Sequence, residues 1–193
     1  MNRAVFLDRD GVLNYNVLNP ATGEWESPHR PVDFQLFPWV IDSLKQLQDL
    51  KVQLFLISNQ PSFAKGKTSF ENIIAIQEKL HAILTENKIY FSDYFYCYHH
   101  PSGIVPDLSI KCACRKPGTL FIEKAARQHS LDLKACWLVG DRDSDVICGY
   151  SAGMKTIKVI DPNSSRQETI NCMPDFKVND LREAVNIIKS EVA

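Results

Sequence analysis

Ala4-Val5-Phe6-Leu7-Asp8-Arg9-Asp10-Gly11-Val12-Leu13-Asn14 is the stretch on which the reading of this chain turns. The apolar run Ala4–Leu7 reads as a strand, and it stops abruptly at two carboxylates separated by one residue. The carboxyl end of a strand is where open α/β sheets place their ligands. Gly11 permits a tight turn straight afterwards. Two carboxylates this close repel each other unless they share a cation or a proton. The pair therefore suits a Mg²⁺ site in which one Asp is free to attack a phosphorus and the other can carry a proton. Asp-x-Asp-Gly is also an ordinary turn sequence, so the rest of the chain must arbitrate.

The 193 residues suit one domain, residues 1–193, with enough chain for a core that needs no disulfide staples. A charged content of 23% against 45% hydrophobic is that of a soluble globular protein. The net charge of -1 offers no general attraction to nucleic acid or to an anionic membrane, so any phosphate binding must be local. No apolar segment is long enough to span a bilayer, and the N-terminus lacks a signal peptide's apolar stretch. A cytoplasmic monomer that acts on a small molecule is the expectation. In the cytosol the 6 cysteines are expected as thiols. Cys136 and Cys148 read as buried space-fillers; Cys172 carries no reading.

Working outward, apolar runs alternate with segments of helical period. Residues 38–50 place Val40, Ile41, Leu44, Leu47 and Leu50 on one face, with Pro38 in a first turn. Residues 52–57 form a second strand that ends in Ser58-Asn59-Gln60. Thr68-x-x-Glu71 is a capping box ahead of a helix carrying Ile73, Ile76, Leu80 and Leu84. Residues 90–98 are aromatic and strand-like, and residues 119–129 are helical. Residues 135–139 make a strand that ends in Gly140-Asp141. A helix over 144–152 stops at Gly153. A strand over 156–160 and a closing helix over 181–192 complete the pattern. Such alternation indicates a doubly wound, mostly parallel sheet. Residues 16–37 are the least regular stretch, and loops of that length are usually functional; a lid or substrate-contacting loop is expected there.

Polar groups therefore gather at strand ends: Asp8 and Asp10, Ser58-Asn59-Gln60, and Asp141 with Asp145. Arg115-Lys116 joins them from a loop. Together they offer carboxylates for Mg²⁺ and for attack, a hydroxyl and amides for phosphate oxygens, and cations for transition-state charge. Each piece alone has a plainer reading; Asp141 and Asp145, for instance, suit the N-terminus of a helix.

A second constellation lies in between. Cys97-x-His99 and Cys112-x-Cys114 supply three thiols and an imidazole in two short pairs, a donor set that suits tetrahedral Zn²⁺ in a closed structural site. His100 is an alternative to His99. The ion would fix where Arg115 and Lys116 point, since both directly follow the last ligand.

With these residues in view, the chain resembles phosphatases of the haloacid dehalogenase superfamily. Asp8-x-Asp10-Gly11-Val12-Leu13-Asn14 is similar to the first motif, Ser58-Asn59 to the second, Lys116 to the third, and Gly140-Asp141-Arg142-Asp143-Ser144-Asp145 to the fourth. The resemblance covers residues 5–159. Within the superfamily it is similar to the branch of D-glycero-D-manno-heptose 1,7-bisphosphate phosphatases and histidinol-phosphate phosphatases. Asp8-Arg9-Asp10-Gly11, Ser58-Asn59-Gln60 with Ala64-Lys65-Gly66, and Cys97-Tyr98-His99-His100-Pro101 with Cys112-Ala113-Cys114-Arg115-Lys116-Pro117 carry that likeness. Ser58 stands where the family usually has Thr, Pro61-Ser62 where it has Ser-Gly, and Arg142 where Lys is common. Residues 16–37 are longer than in the heptose enzymes.

The resemblance implies a capless Rossmann-like fold with a zinc-binding loop, and it favours His99 as the zinc ligand. It implies Mg²⁺ held by Asp8, the Asp10 carbonyl and Asp141. Asp8 would be the nucleophile and Asp10 the acid and base, while Ser58 and Lys116 would bind the transferring phosphoryl group. Asn59, Gln60, Arg115 and Arg142 are the candidate substrate-binding residues, and Asp145 would orient Lys116 or the metal waters. The implied reaction is hydrolysis of a sugar phosphate monoester, with heptose bisphosphate ahead of histidinol phosphate. The rival outside enzymes is a zinc-stabilised binding module.

Overall fold

The computed structural model describes residues 2–164 and 173–192, so Cys172 lies outside the described residues. Six strands form one sheet: β1 (Ala4–Leu7), β4 (Gln53–Asn59), β5 (Asp93–Cys97), β6 (Trp137–Gly140), β7 (Lys155–Val159) and β8 (Phe176–Val178). A short antiparallel hairpin, β2 (Val17–Leu18) with β3 (Trp25–Glu26), stands apart. The sheet order is β5-β4-β1-β6-β7-β8, with every neighbouring pair parallel. From β1 the chain winds one way through β4 and β5, then returns to β6 on the other side of β1. That reversal is the switch point at which an open sheet leaves a crevice.

The register explains how β1 comes to be buried on both faces. Leu7 sits opposite Leu56 and Val139. Val5 and Leu7 face a layer built with Leu44 and Leu47 of α1 (Val40–Asp49), Ile76 and Leu80 of α2 (Phe70–Glu86), and Ala184 and Ile188 of α5 (Leu181–Val192). Ala4 and Phe6 face the opposite layer, with Ile122 and Ala125 of α3 (Leu120–His129) and Cys148 of α4 (Asp143–Ser151). Near-continuous apolar runs are what a parallel strand covered on two faces requires. Cys136 and Cys148 are fully buried, as their apolar surroundings suggested.

Three local expectations need correction. Thr68 does not cap α2. Its hydroxyl donates to the His29 carbonyl at 2.6 Å, and Ser69 becomes the cap instead, accepting the Asn72 N–H at 3.2 Å. The loop contact draws Thr68 away and the helix starts one residue later. Strand β8 went unforeseen because its three residues alternate with polar neighbours too briefly to show a period. The hairpin went unforeseen too, its strands being two residues each. No helix among the described residues is long and apolar enough to cross a membrane.

Candidate active site

Asp8 leaves β1 still in register, its N–H donating to the Val139 carbonyl at 2.9 Å. The chain then turns sharply, with the N–H groups of Leu13 and Asn14 both donating to the Arg9 carbonyl at 2.8 and 3.1 Å. Gly11 is required at that turn. Its φ is +79°, and a Cβ there would stand 2.5 Å from Oδ2 of Asp141. The missing side chain is what lets the ends of β1 and β6 bring their carboxylates together.

Lys116 organises the floor of the site. Its ammonium is 2.9 Å from Oδ1 of Asp8 and 2.6 Å from Oδ1 of Asp145, and it donates to the Ile57 carbonyl at 2.8 Å. Asn59, at the end of β4, grips the Lys116 backbone on both sides: Oδ1 accepts its N–H at 3.0 Å and Nδ2 donates to its carbonyl at 3.1 Å. Asp145 has two tasks, since its Oδ2 also accepts the Arg142 N–H at the start of α4 at 3.0 Å.

The charges do not balance. Asp8, Asp141 and Asp145 are all buried, with oxygens within 4.8 Å of one another, and Lys116 is the buried cation among them. Burial pushes the Asp8 carboxyl up despite Lys116 beside it, and the neighbouring Asp145 and Asp10 charges add to the rise. Burial likewise pushes Asp141 up to about 8, only partly opposed by Arg142. Against its own burial, Lys116 is held well above the usual range by Asp145 and Asp8. Oδ1 of Asp141 is buried without a hydrogen-bond partner. Crowded hard oxygens, one of them orphaned, are a donor set that fits Mg²⁺.

Asp10 is treated differently. Both its oxygens are engaged: Oδ1 accepts from Arg9 Nη2 at 2.9 Å and from Asn14 Nδ2 at 2.9 Å, while Oδ2 accepts from Gln60 Nε2 at 2.6 Å. Burial works to raise this carboxyl, but the Arg9 charge and the three hydrogen-bonding partners outweigh it and hold it below the usual range. Gln60 also donates to Ser58 Oγ at 2.9 Å and accepts from Arg9 Nη2 at 2.8 Å.

The amides of Asn59 and Gln60, expected as substrate contacts, both bond protein atoms, and Asn59 also lines the cavity over Asp8. Arg9 and Asn14 were not singled out in the sequence. An arginine fully buried between two acids of a strand-end motif has no periodic signature, and only the carboxylates on either side of it hint that it is paired.

A cavity of about 550 Å³ opens over Asp8, Asp10 and Lys116. Lys65, Arg115 and Arg142 form its cationic wall, with His100 lining it too, and residues 23–27 of the hairpin form another. Burial, with Lys65 and Arg115 nearby, pushes His100 down to about 4, so its imidazole is neutral near pH 7. The expected loop over 16–37 thus reaches the site only through its hairpin. Phe34 is buried in the core and Trp39 packs against it.

The second constellation also assembles. Sγ of Cys97 lies 3.6 Å from that of Cys112 and 3.4 Å from that of Cys114, with 3.2 Å between the last two. Nδ1 of His99 is 3.7 Å from Cys97 Sγ and 3.4 Å from Cys114 Sγ. Four donors at these separations fit a single ion with Zn–S bonds of about 2.3 Å. His100 stands outside this group; its Nδ1 accepts the Ser102 N–H at 3.1 Å. Arg115 is hooked to the loop through a bond from Nη1 to the His99 carbonyl at 3.3 Å.

Residues 113–184 match the HAD-hydrolase-like family model. The D-glycero-alpha-D-manno-heptose-1,7-bisphosphate 7-phosphatase of Photorhabdus laumondii is 37% identical over 152 residues, 79% of each chain. This chain belongs to that family of haloacid dehalogenase-type phosphatases. The beta-anomer enzyme of Yersinia pestis is 27% identical across 97% of this chain and 95% of its own. In fold, the family is matched by the D,D-heptose 1,7-bisphosphate phosphatase of B. bronchiseptica complexed with magnesium and phosphate. That structure has a TM-score of 0.77 and 24% identity, with 99% of each chain covered. The two sequence relatives differ in the anomer that they are named for.

Proposed function

We propose that this protein hydrolyses a sugar phosphate monoester, the 7-phosphate of D-glycero-D-manno-heptose 1,7-bisphosphate, through an aspartyl-phosphate on Asp8. The observation that carries the reading is Lys116 pinned between Asp8 and Asp145 beneath a cavity with a cationic wall.

Oδ1 of Asp8 is taken by Lys116 and by the Arg9 N–H at 2.7 Å, which leaves Oδ2 as the attacking atom. The P–O bond to the sugar breaks as the Asp8–phosphorus bond forms, and Asp10 delivers a proton to the departing alkoxide. In the free protein Asp10 is an anion. The negative charge of an arriving phosphate raises its carboxyl, so its protonation belongs to the substrate complex. Asp10 then takes a proton from the water that cleaves the acyl phosphate. Lys116 and Ser58 bind the phosphoryl oxygens, and Arg115 and Arg142 bind the rest of the substrate. Mg²⁺, held by Asp8, Asp141 and the Asp10 carbonyl, would neutralise charge between carboxylate and phosphate. Zn²⁺ on Cys97, His99, Cys112 and Cys114 would be structural. The enzyme is assigned to the cytoplasm, where those thiols stay reduced until metallated, and works as a monomer.

A substrate panel tests this. Both anomers of the heptose bisphosphate and histidinol phosphate are compared by kcat/KM with and without Mg²⁺, in the wild type and in Asp8→Asn. Mg²⁺-dependent preference for a heptose bisphosphate, abolished in Asp8→Asn, is expected. Preference for histidinol phosphate, or no phosphate release from any ester as for a binding module, would sink the proposal.

A further inference from the structure

We infer that the indole of Trp25, with the carboxylate of Glu24 beside it, is the wall along which the carbon chain of a phosphorylated polyol lies. The inference rests on the sugar phosphate reading above and deepens it.

Packing does not account for Trp25. It is half-buried, yet it belongs to neither layer of the core and stacks on no other ring among the described residues. The other two tryptophans differ. Trp137 is buried in the sheet, and Trp39 packs on the core beneath the Arg182 guanidinium, 4.6 Å from its ring centre. The surface Trp25 does line is the cavity over Asp8 and Asp10.

The hairpin that carries it is anchored. Leu18 pairs with Trp25, and Val17 with Glu26. Glu26 Oε1 meets the Lys67 ammonium at 2.5 Å, and its Oε2 lies 3.2 Å from His29 Nε2. Ser27 Oγ is 3.1 Å from Ser62 Oγ. Trp25 is thereby held in place before any ligand arrives, which lowers the ordering cost of binding.

The cavity lining combines cations with an aromatic and a carboxylate. Lys65, Arg115 and Arg142 line it as cations, Lys67 lines it with its charge met by Glu26, and Glu24 and Trp25 come to it from the hairpin. An indole face offers apolar area to the C–H groups of a sugar and leaves its hydroxyls free at the edges. A carboxylate accepts hydrogen bonds from such hydroxyls, and the Glu24 side chain has no hydrogen-bond partner among the described residues. The Trp25 indole and the Glu24 carboxylate suit a neutral hydroxylated chain, and Lys65, Arg115 and Arg142 suit its anionic ends.

The test compares Trp25→Ala and Trp25→Phe with wild type on heptose bisphosphate and on acetyl phosphate, which has no carbon chain to lay on the indole. Trp25→Ala should raise KM for the sugar roughly tenfold, the effect of uncovering part of an aromatic face, with kcat within threefold. The ratio of kcat/KM between sugar and acetyl phosphate should fall by a similar factor, and Trp25→Phe should restore most of it. In Asp8→Asn protein, heptose bisphosphate should quench tryptophan fluorescence, and the added Trp25→Phe change should remove that response. An unmoved sugar KM in Trp25→Ala, or a parallel loss on both substrates, overturns this inference alone. A wild-type protein that cleaves acetyl phosphate and no sugar phosphate fails the functional reading and takes this inference with it.

Discussion

The ammonium of Lys116 lies 2.6 Å from Oδ1 of Asp145, and both side chains are buried. Lys116 has Asp8 on its other side, so Asp145 sets where the cation sits relative to the proposed nucleophile. Asp145→Asn keeps the shape and removes the charge. We expect kcat to fall by roughly 10²-fold, the scale for a misplaced transition-state donor, with KM less affected. Lys116→Met leaves two buried carboxylates uncompensated and should cost about 3–5 kcal/mol of stability as well as activity. Steady-state kinetics with a denaturation curve on each variant checks both. A Lys116→Met protein as stable as wild type would show that the ion pair is not needed to bury those acids.

Gly140 allows that approach. A Cβ at this last residue of β6 would stand 2.3 Å from both Cβ and Cγ of Asp145. Those atoms lie close to the backbone of α4 and cannot swing away like the tip of a long side chain. Gly140→Ala should therefore push α4 outward and reproduce the kcat loss of Asp145→Asn, with a lower Tm as well. Wild-type kinetics in Gly140→Ala would mean that the helix start yields without moving Asp145.

Zinc removal should be felt at a distance. Arg115 reaches the His99 carbonyl, so the metal loop and the cationic wall of the cavity are one piece. Purified protein should contain one zinc per chain by elemental analysis. Chelation, or Cys112→Ser, should lower Tm and raise KM for the sugar phosphate more than it lowers kcat. Without the ion, four donors would lose the centre that holds the loop, and structural zinc supplies folding free energy directly. Zinc-free protein with unchanged Tm and KM would end the structural assignment.

What the sequence revealed and what it hid follow from the range of each interaction. The strands that end at Leu7, Asn59 and Gly140 were legible because burial on both faces writes a continuous apolar run, broken sharply by Asp8 after the first, by Ser58-Asn59-Gln60 in the second and by Asp141 after the third. The Cys97, His99, Cys112 and Cys114 cluster was legible because thiols in close pairs are a recognisable metal-ligand pattern. Arg9 was opaque: its charge is satisfied by Asp10 next door and by Gln60, 51 residues away, and neither contact leaves a periodic trace. Asn59 and Gln60 were legible as polar groups at a strand end, but their protein partners were not. An amide at a strand end serves a ligand or a backbone equally well, and only the fold brings Lys116 within its reach. The hairpin lay hidden in residues 16–37 because each strand is too short for alternation to show.

Asp180 gives a prediction that depends on pH. It stands just before α5 and accepts the N–H of Arg182 at 2.8 Å and of Glu183 at 3.4 Å, as a helix cap does. The Arg182 side chain bonded to it, helped by those N–H groups, holds its carboxyl below the usual carboxylate range, while burial opposes the shift. The folded chain thus binds a proton on Asp180 less readily than the unfolded chain. The cap's charge-dependent stabilisation is fully present above the ordinary carboxylate pKa of 3.8 and is lost as pH falls through the folded value. Asp180→Ala should cost about 1 kcal/mol at pH 7, a typical loss for a capping residue. For a chain of this size that is a Tm drop of about 2–4 °C. Tm measured for both proteins from pH 7 to pH 3 should show that gap holding steady and then narrowing below the ordinary carboxylate range. A gap that stays constant to the acid end would mean that Asp180 caps α5 through its shape alone, with no contribution from its charge.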